Sequence, residues 1–357
     1  MKVAIVTDTH WGVRNDNVVF GNHISAYFTE QFFPQIDRMG ITHILHLGDV
    51  VDRRKFINFN SASKLEEDFI KPICERNLFA HIIIGNHDTF YKNTNHINSM
   101  KQLYGHSKYA QDNMSLYWDG PVEIVLDGTK IVLCPWICDD NYEKTMEFLK
   151  NTDAQILMGH FEIDGFEMYR GVPSHGGLDK NVFSKFDMVM SGHFHHKSSH
   201  GNIHYLGAPY EMTWSDYNDP RGFHVFDTET RELEFIQNTS RIFHKLFYND
   251  DGLEVTDISK ISVDKNLKDC YIKVVVQNKN NPYLFDLYIN SLQQAGCADI
   301  KVVEDHMNLD LFNEEDLIDE AEDTLTILRN YIDKLDMKNS APVEKFMTSL
   351  YNEAINL

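Results

Sequence analysis

The sequence predicts an α/β protein built in layers, and two features carry that expectation. Short apolar runs rich in β-branched residues alternate with longer stretches whose apolar residues recur every three or four positions. Most of the apolar runs in the first 200 residues also end in a small polar cluster, often led by glycine. At 357 residues the chain is long enough for more than one domain, and a 42% hydrophobic content supplies a real core.

Residues 2–7 read as a buried strand, short and ended by polar residues. Ile24, Tyr27, Phe28, Phe32 and Ile36 then mark one face of a helix. Residues 43–47 form a second strand, residues 61–76 a helix with Ser61 near its cap, and residues 80–84 a third strand. Further strands are expected at 131–133, 154–158 and 187–190, with a helix at 142–149. From 203 to 236 the pattern is strand-rich and closes a first domain, set at 1–239. A small α/β unit follows at 240–306, with strands at 270–276 and 300–303 around a helix at 283–293. Residues 307–357 are predicted to be amphipathic helices. Leu317, Ala321, Leu325, Leu328, Tyr331 and Leu335 line one face, and Phe346, Met347, Leu350 and Ile355 another.

Fifty-four acidic against 33 basic side chains give a net charge of −21. That balance argues against a broad basic face for nucleic acid, although bound cations or a basic partner can meet phosphates locally. The five cysteines, Cys74, Cys134, Cys138, Cys270 and Cys297, form no C-x-x-C pair and read as reduced thiols in a cytoplasmic setting. Cys134 and Cys138 flank Pro135-Trp136, read as part of a strand and turn. The apolar start, Met1 to Val6, is too short for a signal peptide or a membrane span.

Five clusters carry the chemistry: Asp8-Thr9-His10, Gly48-Asp49-Val50-Val51-Asp52, Gly85-Asn86-His87-Asp88, Gly159-His160 and Gly192-His193-Phe194-His195. Groups just past the carboxyl ends of parallel strands converge on one crevice. Each cluster alone passes for a polar turn, but five in order at strand ends point to a metal site. Asp8, His10, Asp49, Asn86, His160, His193 and His195 offer imidazole nitrogen with carboxylate and amide oxygen, and no thiolate. That mixture suits manganese, iron or zinc. Seven donors exceed one four-coordinate ion and suggest two, with Asp49 as the bridge.

In order and type the clusters resemble the calcineurin-like metallophosphoesterases, over roughly residues 1–210. The resemblance implies a four-layer αββα sandwich. It implies one ion on Asp8, His10, Asp49 and His195, and another on Asp49, Asn86, His160 and His193. His87 would protonate the leaving oxygen, with Asp88 behind it to orient the imidazole. The expected ions are two divalent cations, manganese first and magnesium as the alternative.

Asp52-Arg53-Arg54 lacks the glycine of protein phosphatases, and Asp88 stands where they carry glutamate. The additional residues after the core resemble the SbcD-like exonuclease subunits of double-strand-break repair complexes and their counterparts in large tailed phages. Gly207-Ala208-Pro209-Tyr210 with Trp214 resembles the segment that follows their last metal motif. The resemblance implies a DNA exonuclease and endonuclease in repair, recombination and replication. Residues 240–306 would be its capping domain, and the C-terminal helices would bind an SMC-like coiled-coil ATPase. It also implies a homodimer within a heterotetramer, and host-cell cytoplasm for a phage-encoded chain. Arg14, Arg53, Arg54 and Lys55 are the expected phosphate contacts. The competing expectation is a phosphoprotein or small-molecule phosphatase of the same fold.

Overall fold

The computed structural model describes residues 1–107, 112–253 and 265–304. The predicted C-terminal helices at 307–357 lie outside the described residues. The chain divides into two compact units. One takes residues 1–212 and 216–307. The other joins 213–215 to 308–357, and of it only 213–215 is described, where the Thr213 and Ser215 hydroxyls lie 2.6 Å apart.

The first unit is built on two six-stranded sheets. In chain order the strands are β1 (Lys2–Val6), β2 (His43–His46), β3 (Phe79–Ile83), β4 (Met114–Tyr117), β5 (Val122–Leu126), β6 (Thr129–Cys134), β7 (Ile156–His160), β8 (Glu167–Tyr169), β9 (Val172–Pro173), β10 (Met188–Gly192), β11 (Ser198–His200), β12 (Ile203–Tyr205), β13 (Gly222–Asp227) and β14 (Leu233–Gln237). One sheet runs β14-β13-β1-β2-β3-β4 and the other β11-β12-β10-β7-β6-β5, while β8 and β9 form a hairpin apart. β1 to β4 are parallel, as are β6, β7, β10 and β12, and the antiparallel strands β14, β13, β11 and β5 sit toward the edges.

Strand alternation builds the layers. Leu133, Ile156, Met158 and Met190 face an inner core shared with Val3, Ile5, Leu45 and Ile83 of the other sheet. Their neighbours Val132, Leu157 and Val189 face the opposite way, onto Leu149 of the helix Tyr142–Asn151 and onto Phe161 and Phe183. The outer face of the first sheet is covered by two helices, at residues 18–39 and 59–75. Helix, sheet, sheet and helix give the four layers expected.

Both covering helices contain a π-helical turn, Tyr27–Phe32 and Glu66–Ile70. Each is followed almost at once by a proline near the start of the next α-helical segment, Pro34 and Pro72. Proline lacks the N–H that continues the α-helical ladder, and a wider turn before it accommodates the break. The turns place Phe28, Phe32, Phe33 and Phe69 in one aromatic cluster, with Trp11 stacked on Phe28 at 5.5 Å and Phe69 at 4.9 Å.

A three-stranded parallel sheet follows: β15 (Phe243–Asn249), β16 (Tyr271–Asn278) and β17 (Asp299–Glu304). The helix Pro282–Gln294 buries Leu284, Phe285, Tyr288 and Leu292 in a core with Ile272 and Val274. This sheet docks on the large sandwich through specific contacts. Glu211, itself buried, accepts the backbone N–H groups of Ile242 and Phe243 at 2.9 and 3.1 Å. Asn17 donates to the Tyr271 hydroxyl at 3.1 Å, and Phe20 lies against Phe243 and Tyr271.

β4, β5, β15 and the hairpin strands were not predicted from the sequence. β4 is half-buried and β5 alternates exposed with partly buried residues, so neither makes a continuous apolar run.

Phe28 is fully buried at the centre of the aromatic cluster. Phe28→Ala is expected to cost about 3–5 kcal/mol, from lost transfer energy plus the cavity left behind. Urea unfolding measures it, and a shift near zero would mean the cluster closes over the gap.

Candidate metal centre

The seven predicted donors come from both sheets. Asp8 and His10 follow β1, Asp49 follows β2, and Asn86 follows β3. His160 ends β7, and His193 and His195 follow β10. The crevice therefore lies between two sheets rather than along one. Close approach is what the glycines allow. A side chain on Gly85 would overlap the Asp49 carboxylate, and one on Gly192 would overlap the Thr7 hydroxyl and come within 2.8 Å of Leu47 O. Asp8, His10, Asp49 and His193 all hold positive φ, at 53°, 42°, 55° and 90°. Backbone of that kind costs about 1–3 kcal/mol per residue and persists where surrounding contacts enforce it.

Asp49 has the most connections. Its Oδ1 accepts the His87 N–H at 2.8 Å, while Oδ2 lies 3.3 Å from His160 Nε2 and 3.8 Å from His10 Nε2. The Asn86 carbonyl oxygen sits 2.9 Å from His160 Nε2 and 3.0 Å from His193 Nδ1. Across the site, His10 Nε2 and His195 Nε2 face each other at 3.0 Å, and Asp8 accepts the His193 N–H at 3.1 Å. The donor atoms of Asp8, His10 and His195 lie within 4.8 Å of one another, as do those of Asp49, His160 and His193. A third such group joins His10, Asp49 and His87.

Electrostatics say what the cluster lacks. Burial alone would depress His10 and His160, yet the carboxylates of Asp52, Asp49 and Asp8 around His10, and of Asp49 and Asp8 around His160, raise both to about 9. Burial and the neighbouring positive imidazoles push His193 down to about 3 and hold His195 well below its ordinary value. Burial raises Asp8. It acts the same way on Asp49, but His160 and His87 outweigh it and hold that carboxyl well below its usual range. The carboxylates thus favour positive charge at His10 and His160.

A divalent cation fits this place. Two nitrogen ligands on an ion at about 2.0–2.1 Å stand roughly 3.0–3.4 Å apart, the spacing at which His10 and His195 present their Nε2 atoms. The nitrogen and oxygen donors suit a borderline or hard ion.

The expected support for His87 needs correction. Asp88 does not hold it; the backbone carbonyl of Asp52 does, 2.5 Å from Nδ1. The Asp88 carboxylate instead accepts N–H from Val50 and Val51 at 3.0 and 3.1 Å, from Gly85 at 2.9 Å, and the Ser99 hydroxyl at 3.2 Å. It ties the loop after β2 to the loop after β3. A carboxylate one residue from His87 in sequence turns inward because three backbone donors converge there.

Of the expected phosphate contacts, Arg53 is ion-paired with Asp16 and lies over Phe56. Arg54 donates to Thr89 at 3.1 Å, Arg14 lies 5.8 Å from the Phe20 ring centre, and Lys55 is exposed.

Other residues at the site escaped the sequence reading. Buried Arg221 donates to the His195 carbonyl and pairs with Asp216 at 2.6 Å and Asp219 at 2.9 Å. Nothing in its sequence neighbourhood signals that role. The Tyr210 hydroxyl donates to Thr9 O, and Tyr210 at least belongs to a segment the sequence singles out. Trp136 lies beside His193 and His160, with ring centres 5.2 and 6.0 Å away.

The sequence profile of calcineurin-like phosphoesterases matches residues 1–197. Exonuclease subunit 1 of Enterobacteria phage T4 is 35% identical over 276 residues, 75% of this chain and 79% of that protein. The SbcD subunit of the nuclease SbcCD from Staphylococcus epidermidis is 24% identical over 322 residues, 80% of this chain and 79% of that protein.

Two outcomes follow from the geometry. Ligand imidazoles must be neutral, so Mn²⁺ binding displaces protons from His10 and His160, and affinity rises with pH up to about 9. Calorimetry in buffers of different ionisation enthalpy is expected to find proton release, with affinity about tenfold or more higher at pH 8.5 than at 6.5. A flat profile without proton release would refute this. Asp88→Ala leaves three buried N–H groups without their acceptor. It is expected to cost about 3–5 kcal/mol in urea unfolding.

Proposed function

The chain belongs to the calcineurin-like phosphoesterase family, and on that premise we propose that it is the nuclease subunit of a DNA repair and recombination complex. Its reaction would be hydrolysis of phosphodiester bonds at two divalent ions, manganese first and magnesium as the alternative. The observation that carries this is the meeting of seven donors from two sheets around Asp49, in a chain similar to proteins named as an exonuclease subunit and a nuclease subunit.

Asp8, His10, Asp49 and His195 would hold one ion, and Asp49, Asn86, His160 and His193 the other. When bound, such ions supply Lewis acidity toward phosphoryl oxygens and make water more acidic. The chain's own contribution is positioning and proton transfer. His87 Nδ1–H donates to the Asp52 carbonyl, which fixes the ring and leaves Nε2 as the end that would serve the leaving oxygen. That transfer needs the imidazolium form. Burial lowers His87, and the carboxylates of Asp49 and Asp52 oppose burial.

Arg14, Arg53, Arg54 and Lys55, which follow the first two metal motifs in sequence, would contact backbone phosphates. With a net charge of −21, most of the DNA-binding surface would come from a partner, proposed as an SMC-like coiled-coil ATPase docked on residues 307–357, with 240–306 as capping domain. A homodimer is supported by exposed apolar side chains on the loops and helices after the second and third motifs: Phe56, Phe59 at 94% exposure, Phe90, Tyr91, Ile97 and Leu103. The five cysteines, none of them in a C-x-x-C pair, suit a reducing compartment, proposed as the cytoplasm. No helix among the described residues is long and apolar enough to cross a membrane.

Purified protein with Mn²⁺ is expected to degrade linear DNA. His87→Ala should retain Mn²⁺ affinity while cleavage falls about 10²–10⁴-fold. Loss of metal binding together with an unchanged rate would remove His87 from that role. Rapid turnover of phosphopeptide with no DNA cleavage under any divalent metal would favour the phosphatase alternative.

A further inference from the structure

Trp136 follows β6 but enters neither of the cores that its neighbours enter. The cluster between the sheets takes Leu133, and the one beneath the second sheet takes Cys134 and packs Ile137 at its margin; Trp136 belongs to neither. Its ring contacts among the described residues are with His193, tilted by 44°, and with His160, edge-on at 71°. Trp136 is half-buried, and its ring lies beside two of the seven donors.

Its backbone is held firmly. The Trp136 N–H donates to Ile84 O at 2.7 Å, and its carbonyl accepts from Asn95 at 2.7 Å and Asn141 at 3.0 Å. Both asparagines are buried. Asp140 N–H donates to Asn93 O at 3.1 Å, and the Thr94 hydroxyl donates to the Asp140 carboxylate at 2.9 Å. The loop carrying the indole is thus laced on both sides to the loop carrying Asn86 and His87. A tryptophan fixed in this way loses little entropy when a planar group lands on it.

We propose that Trp136 is a specificity-determining residue whose indole stacks on an unpaired base next to the scissile phosphate. The inference rests on the nuclease function proposed above and names the substrate feature that function would select: a nucleotide whose base is splayed from its partner. A π-face accepts any base, so the selection is for unpaired over paired nucleotides, not for sequence. It also suits an acidic chain, because stacking adds affinity without adding positive charge.

The test compares single-stranded oligonucleotides that carry either a base or an abasic analogue at the positions flanking the cleaved bond, with Mn²⁺. Wild type is expected to favour the base-containing strand about tenfold in kcat/KM, mainly through KM. In Trp136→Ala that ratio falls toward one, and Trp136→Phe keeps an intermediate ratio. Mn²⁺ affinity, read by electron paramagnetic resonance, should stay within about twofold of wild type, since none of the seven donors is replaced and the indole itself offers no ligand atom. Equal loss on both strands, or lost Mn²⁺ binding, would make Trp136 a structural residue and overturn the proposal. A second measurement does not depend on turnover. In His87→Ala with Mg²⁺, oligo-dT should quench tryptophan fluorescence, and adding Trp136→Phe should abolish that quench; a quench that survives overturns the proposal. If wild type cleaves no DNA yet hydrolyses other phosphoesters, the nuclease function fails first. A cleaving wild type without base preference isolates the failure to Trp136.

Discussion

The carboxylate of Asp49 joins groups from both sheets, and the rest of the centre is arranged around it. It follows β2 on a backbone at positive φ, against a glycine whose missing side chain is what leaves room for it. One oxygen is fixed by the His87 N–H, and the other faces His160 from the opposite sheet. Removing a charge this deeply from water is costly unless positive charge comes with it. The raised His10 and His160 register that demand.

The supports around the donors are mostly backbone. Asp88 gathers N–H groups from two loops, Leu47 O orients His160 at 2.7 Å, and Asp52 O orients His87. Arg221, held by Asp216 and Asp219, fixes the carbonyl of His195, and Tyr210 does the same for Thr9. Such contacts hold the strained conformations at Asp8, His10, Asp49 and His193 in place. Rigidity here comes from the loops being tied to each other rather than to solvent-facing side chains. The small parallel sheet joins the same framework, because Asn17, just beyond the first metal motif, donates to Tyr271.

A good part of this was legible in the chain. The apolar runs before Asp8, Asp49, Asn86, His160 and His193 are continuous because those strands are buried on both faces. Edge strands such as β4 and β5 carry polar residues on one side and gave no such run. The covering helices were readable from their three- and four-residue spacing, while their π-turns depend on Pro34 and Pro72 meeting a packed aromatic cluster. Trp136 was read as part of a strand and turn and lies in the irregular segment after β6; its ring meets two histidines only because β6 lies beside β7, and β7 beside β10, in the folded sheet.

The amino-acid order by itself singled out the candidate donors, because metal-ligand chemistry needs particular residue types at the ends of particular strands, and both are local properties. Only the tertiary structure decided that the donors come from two sheets, that Asp52 rather than Asp88 orients His87, and that Arg221 and Trp136 stand beside the centre. Those relations join residues from about 24 to 185 positions apart, or turn on which of several nearby donors a side chain reaches first. Local pattern carries no information about distances of that kind; packing of the two sheets sets them.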